Sequence, residues 1–161
     1  MVHGKKGLVV VVSAILAVMI LFTGCSGGSS SGKTPAAEEI ANRIKETCSF
    51  DEMIKLEDSV LYNQYTDLNA DIVADVAVYA STLVLADEIC VIRVKSESDV
   101  DAALAAIDVR LADLKDKFTG YREEELPKVT NALIETRGTY ILMTTTQDSE
   151  TASKEFKSMV G

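Results

Sequence analysis

The sequence predicts an α+β domain: a small antiparallel sheet of three or four strands with helices packed on one face. Three observations carry that expectation. In residues 72–80 the side chains Ile72, Ala74, Val76, Val78 and Ala80 recur with period two, and residues 88–95 form a short run apolar on both faces at its middle. Val100, Leu104, Ile107, Leu111, Leu114 and Phe118 recur at three-to-four spacing, the stripe of one long amphipathic helix. The order of elements (helix, irregular segment, strand, strand, long helix, short helix, strand, helix) fits such a sheet.

Each element has its own local signal. Thr34 and Pro35 open a helix over about 35–48, with a hydroxyl cap, proline at the first helical position, and Glu38 and Glu39 in the first turn. Ile40, Ala41 and Ile44 give it a narrow apolar face. Residues 50–66 are irregular and predict one or two short helical turns against the core. The strands at 72–80 and 88–95 read as an antiparallel hairpin with the later strand more central, because only a central strand needs both faces apolar. Leu83, Val84 and Leu85 in their connection are expected to fold partly back onto the sheet.

Ser96 or Ser98 caps the long helix and Gly120 stops it. Its polar side, including Asp108, Arg110, Asp113 and Lys117, reads as a solvated surface. A shorter helix is expected over about 122–134, with Pro127 in or just after its first turn. Gly138 leads into a third strand at 139–145, and Asp148 caps a final helix that buries Ala152, Phe156 and Met159.

Ahead of this domain stands a segment of a different kind. Lys5 and Lys6 precede an apolar run over 8–22, too short to span a bilayer comfortably, and small residues then lead to Cys25. That order predicts a secretory signal over 1–24, cut between Gly24 and Cys25, with Cys25 as the acylated residue. An uncleaved signal anchor and a signal cut elsewhere are the alternatives. Residues 26–32, all Ser or Gly, read as a flexible tether, and residues 25–34 therefore join a lipidated cysteine to a single domain over 35–161. A diacyl or triacyl group would hold the protein at the extracytoplasmic face of the cell membrane.

Composition narrows the chemistry. Removing residues 1–24 takes away Lys5 and Lys6, so the formal charge falls from −9 to −11. So acidic a chain is repelled by anionic lipid and lacks the clustered cations that nucleic acid demands. The single histidine, His3, lies in the segment expected to be removed. The mature chain then has no Ser-His-Asp or Cys-His pair and no His-ligated zinc or haem site. No cofactor and no metal ligand is expected. Of the three cysteines, Cys48 and Cys90 remain, and two buried free thiols are favoured over a disulfide.

Several constellations were candidates for chemistry. Asp67, Asn69 and Asp71 open like a calcium loop, but Ile72 and Val78 occupy the places of its glycine and its bidentate glutamate, so a backbone turn is the reading. Asp87 with Glu88, and Glu123, Glu124 and Glu125, are paired carboxylates of the kind that cleave glycosides at a set separation. A solubilised strand start and a helix N-terminus explain them equally. Tyr121, Tyr140, Arg110 and Arg137 are further candidates for a ligand site that ordinary packing explains as well. No catalytic residue is assigned.

The residues Phe22-Thr23-Gly24-Cys25 resemble the lipobox of bacterial lipoproteins, with Phe22 where Leu, Val or Ile is usual. Taken with Leu61-Tyr62, Ala77-Val78-Tyr79, Ala86-Asp87-Glu88-Ile89, Arg110-Leu111, Phe118-Thr119-Gly120-Tyr121 and Gly138-Thr139-Tyr140, the chain resembles an uncharacterised family of small lipoproteins. That family is classed as a domain of unknown function and met chiefly in Gram-positive bacteria. The resemblance implies a surface lipoprotein, palmitoylated or similarly acylated, and assigns no functional residues. The expected function is thus a non-enzymatic, membrane-anchored module that binds an envelope protein, an envelope polymer or a small ligand. A carboxylate-based enzyme acting on envelope material is the alternative, and an inhibitor-like module a third.

Overall fold

The structure, a computed structural model, describes residues 34–161. The expected signal segment, Gly24, Cys25 and the Gly/Ser tether lie outside the described residues. Along the described chain run α1 (Ala37–Thr47), β1 (Ile54–Lys55), α2 (Asp58–Gln64), β2 (Val73–Ala80), β3 (Glu88–Val94), α3 (Val100–Phe118), α4 (Leu126–Thr130), β4 (Leu133–Arg137), β5 (Tyr140–Thr144) and α5 (Ser149–Val160). Single 3-10 turns at Glu97–Asp99 and Glu123–Glu125 lead into α3 and α4.

The strands form one antiparallel sheet in the order β1-β2-β3-β5-β4. The α+β class therefore stands, with five strands where three or four were expected. β3 lies at its centre, as the two-sided apolar run required: Val91 is opposite Ala77 on β2 and Leu142 on β5. Successive side chains of a strand point to opposite faces. Ile89 and Val91 accordingly join Ile40, Ala41 and Ile44 of α1 and Phe156 of α5 in one buried cluster. Cys90, Ile92 and Val94 join Leu61, Tyr65 and the α3 residues Ala103, Ala106 and Ile107 in another.

Helices thus cover both faces of the sheet, not one. The cause was visible in β3 itself, where Ile89, Cys90, Val91 and Ile92 are all fully buried. A strand apolar on both sides needs cover on both sides. Cys48 belongs to the first cluster and Cys90 to the second, so the sheet separates the two free thiols.

The expected helix over 122–134 is shorter than the sequence implied. It stops at Thr130, and residues 133–137 form β4, which returns through Gly138 (φ +54°) to pair with β5. Ile134 and Thr136 are β-branched and suit an edge strand, whereas Leu126 and Val129 lie in the short helix itself. Gly120, at φ +73°, does end α3, in the left-handed conformation that glycine adopts without strain.

Two caps differ from expectation. Thr34 does not cap α1; the N-cap is Ala36, and Asp75 on β2 accepts the Ala37 N–H at 2.7 Å. A carboxylate lent by the sheet satisfies a helix donor and complements the dipole. Asp148 sits at the N-cap of α5, but its carboxylate accepts the Ser49 N–H at 2.6 Å instead of one from its own helix. Ser96 does bond to the Ser98 N–H ahead of α3. Leu83 does not fold back: 81 % of it is exposed.

Candidate functional site

Where β3 begins, the chain buries three charged groups that the sequence presented as surface acids. Asp87, Glu88 and Glu125 are 5 %, 2 % and 6 % exposed. Thr145, just after β5, fixes the backbone beneath them. Its hydroxyl donates to the Ala86 carbonyl at 2.5 Å and accepts the Glu88 N–H at 2.7 Å, while its own N–H reaches the Glu88 carbonyl at 3.1 Å. The sheet ladder is continued by a side chain, and the side chains of Asp87 and Glu88 leave on opposite faces.

Glu88 turns to the α3 face. Its Oε1 accepts from Tyr65 Oη at 2.5 Å and from Arg110 Nε at 3.0 Å; its Oε2 accepts from Arg110 Nη2 at 2.6 Å. The same Nη2 donates to Gln64 Oε1 at 2.6 Å, and the guanidinium lies 5.7 Å from the Tyr65 ring centre. This is a bidentate, charge-assisted pair with its spare valences filled. Burial works against the charge on Arg110, but the bonds and charge of Glu88 outweigh it and its pKa is raised. Burial also pushes the Tyr65 hydroxyl well above its ordinary value, and lifts the neighbouring Cys90 thiol to about 12. Such a thiol carries no thiolate at neutral pH and is a packing residue.

Asp87 turns the other way. Lys128 Nζ lies 3.1 Å from Asp87 Oδ2 and 3.0 Å from Glu125 Oε2, and that same Glu125 oxygen accepts the Ala86 N–H at 2.9 Å. Two carboxylates share one ammonium. Burial, reinforced by the like charge of Glu125, outweighs Lys128 and raises the Asp87 pKa. Lys128 is raised too: burial opposes its charge, but its two acidic partners prevail.

Two clefts open beside this cluster, and Asp87 borders both. One, of about 390 Å³, is polar and lies among Ser49, Asp51, Lys128 and Asp148. The other, of about 430 Å³, has the exposed apolar side chains Ile54, Val60 and Leu83 along its wall, with Glu88 and Arg110 also lining it. Its lining mixes apolar side chains with the closed Glu88–Arg110 pair.

The remaining candidates are dispersed. Tyr140 donates to the Pro35 carbonyl at 2.7 Å, and Arg137 is its cross-strand neighbour at the other end of the sheet. Tyr121 is exposed, and Glu123 and Glu124 stay at the surface, the latter paired with Arg122. Asn69 accepts the Asp71 N–H at 2.8 Å, the turn expected in place of a calcium loop. Among the described residues no group of three or more His, Cys, Asp or Glu is placed to hold a metal. Arg110 is the residue most misjudged: it reads as a solvated helix position, yet its side chain is 12 % exposed. Only its pairing with Glu88 reveals that, and pairing between residues 22 positions apart leaves no local pattern.

A family model described as Domain of unknown function (DUF4358) matches residues 46–146, and the chain belongs to that family. The match runs from the end of α1 to just past β5 and contains the whole charge cluster. No curated protein and no solved structure matches the chain.

Proposed function

We propose that this member of the DUF4358 family is a bacterial lipoprotein, anchored through Cys25 at the extracytoplasmic face of the cell membrane, and that it works by binding. The observation that carries the binding role is the 430 Å³ cleft, where exposed Ile54 and Leu83 stand beside a closed Glu88–Arg110 pair. Exposed apolar side chains gathered at a concavity favour a ligand or partner over water.

The carboxylate-enzyme alternative fits the cluster less well. General acid–base work needs a group with a proton or lone pair directed at substrate. Both oxygens of Glu88 accept from Arg110, and Asp87 and Glu125 are bridged by Lys128. These groups hold the start of β3 to α3 and α4.

The anchor rests on the sequence: Lys5 and Lys6, the apolar run, the lipobox-like Phe22-Thr23-Gly24-Cys25 and the tether. Pro35 is held by Tyr140, whose β3 partner is Arg93, while both clefts lie at the opposite end of β3, beside Asp87 and Glu88.

Growth with labelled palmitate, followed by protease treatment of spheroplasts whose cytoplasmic membrane is intact, tests the proposal. The wild-type chain incorporates label and is digested from outside, and Cys25→Ala incorporates none. Label retained in Cys25→Ala, or a wild-type chain protected until the spheroplasts are lysed, would overturn it.

A further inference from the structure

We infer that the 430 Å³ cleft binds a small apolar monocarboxylate, its hydrocarbon lying against Ile54, Val60 and Leu83 and its carboxylate meeting Lys117. This deepens the binding role proposed above and is independent of the lipid anchor.

Charge decides the head group. The cleft is lined by two cations, Arg110 and Lys117. Arg110 is neutralised by Glu88, whereas Lys117 forms no ion pair among the described residues. Partial burial and the nearby Arg110 guanidinium depress the Lys117 pKa, while Glu88 only partly compensates. An ammonium so placed gains from an anion. Arg110 is already matched by Glu88, so Lys117 supplies one uncompensated positive charge on this lining, and a single negative charge complements it. Among the described residues the Lys117 ammonium, which rests over the Phe118 ring 5.0 Å from its centre, has no anionic partner, and the Ser81 hydroxyl on the same lining is without a hydrogen-bond partner.

Shape and hydropathy decide the rest. Beyond the two cations and Ser81, the lining is dominated by Leu56, Leu85, Leu114 and the exposed apolar rim. Leu83, 81 % exposed on the β2–β3 loop, and Ile54, 61 % exposed on the edge strand, lose water only when something fills the space beside them. An apolar body ending in one carboxylate satisfies both requirements.

The test is equilibrium dialysis of radiolabelled octanoate against the full chain in lipid nanodiscs, with empty nanodiscs as the partition control. Protein-bearing discs are expected to take up one additional octanoate per chain, saturably. Lys117→Met keeps the stem and removes the charge, and is expected to weaken binding at least about tenfold, the order of one charge-assisted hydrogen bond. Neutral octanamide is expected to bind wild type and Lys117→Met alike. Leu83→Asp is expected to abolish saturable uptake. Both side chains are exposed, so the variants are expected to melt at the wild-type temperature. Uptake no greater than that of empty discs, or equal octanoate affinity in wild type and Lys117→Met, would overturn the inference. Normal palmitate labelling with no octanoate site would refute the cleft ligand alone; a saturable site on an unlabelled chain would refute the anchor alone.

Discussion

Arg110→Met removes the cation from a carboxylate that is 2 % exposed and leaves a side chain of similar length in its place. The loss is not that of one salt bridge. In the wild type both Glu88 oxygens accept from Arg110, at 3.0 and 2.6 Å. In the variant a buried carboxylate keeps only the Tyr65 hydroxyl and loses its counter-charge, a change that typically costs about 3–5 kcal/mol. Against a domain stability of about 5–15 kcal/mol, that is a large fraction. The deficit depends on pH. A proton neutralises the stranded carboxylate, so the folded variant gains relative to its unfolded chain as the solution is acidified. Urea denaturation followed by circular dichroism, at pH 7 and at pH 5, reads both effects. The double variant Glu88→Met/Arg110→Met should be closer to wild type than Arg110→Met, since neither charge remains; the buried Tyr65 hydroxyl left without its acceptor costs about 1–3 kcal/mol. A deficit below about 1 kcal/mol at pH 7, the size expected for an exposed pair, would refute the reasoning. So would a deficit that grows on acidification.

Thr145→Val should cost about 1–3 kcal/mol in the same denaturation assay, because the Ala86 carbonyl and the Glu88 N–H lose their hydroxyl partner; an unchanged midpoint would contradict the role given to that hydroxyl. Asp87 has a folded pKa raised by burial, so its contribution to stability is greatest below the unfolded carboxyl range and is lost as pH rises through the folded value. Asp87→Asn should therefore flatten the decline of stability over the pH range just above 4, and an identical slope in the two proteins would count against it. Cys48 and Cys90 should resist a disulfide-exchange reagent in the folded protein at pH 8 and both react on unfolding without reductant. Finding them already oxidised to each other would contradict their separation by the sheet.

Elements whose signal is local were legible in the sequence. The stripe from Val100 to Phe118 and the stop at Gly120 follow from 3.6-residue periodicity and backbone freedom alone, and the β2–β3 hairpin follows from alternation. Residues 133–137 were not legible as a strand because their environment is made by α5 and β5: Glu135 is held there by Ser153 at 2.6 Å and Lys157 at 2.9 Å. The two-residue β1 exists only by pairing with Tyr79 and Ala80. The charge cluster was hidden for the same reason. Asp87-Glu88, Arg110 and Lys128 carry the ordinary composition of surface segments, and only the fold brings them together. A feature the sequence did offer was a pair of acids placed directly against the most apolar strand of the chain. The second helix layer was implied as well, since β3 has no polar side chain between Ile89 and Ile92 to face water.

Membrane residence through one modified cysteine is the claim on which the functional account depends. Intact-mass analysis of the protein extracted from its own membranes measures it directly, with fragmentation to locate the modification. The account predicts a chain beginning at residue 25 and carrying a diacylglycerol on the sulfur of Cys25. A chain beginning at Met1, or a chain with an unmodified Cys25, would contradict it.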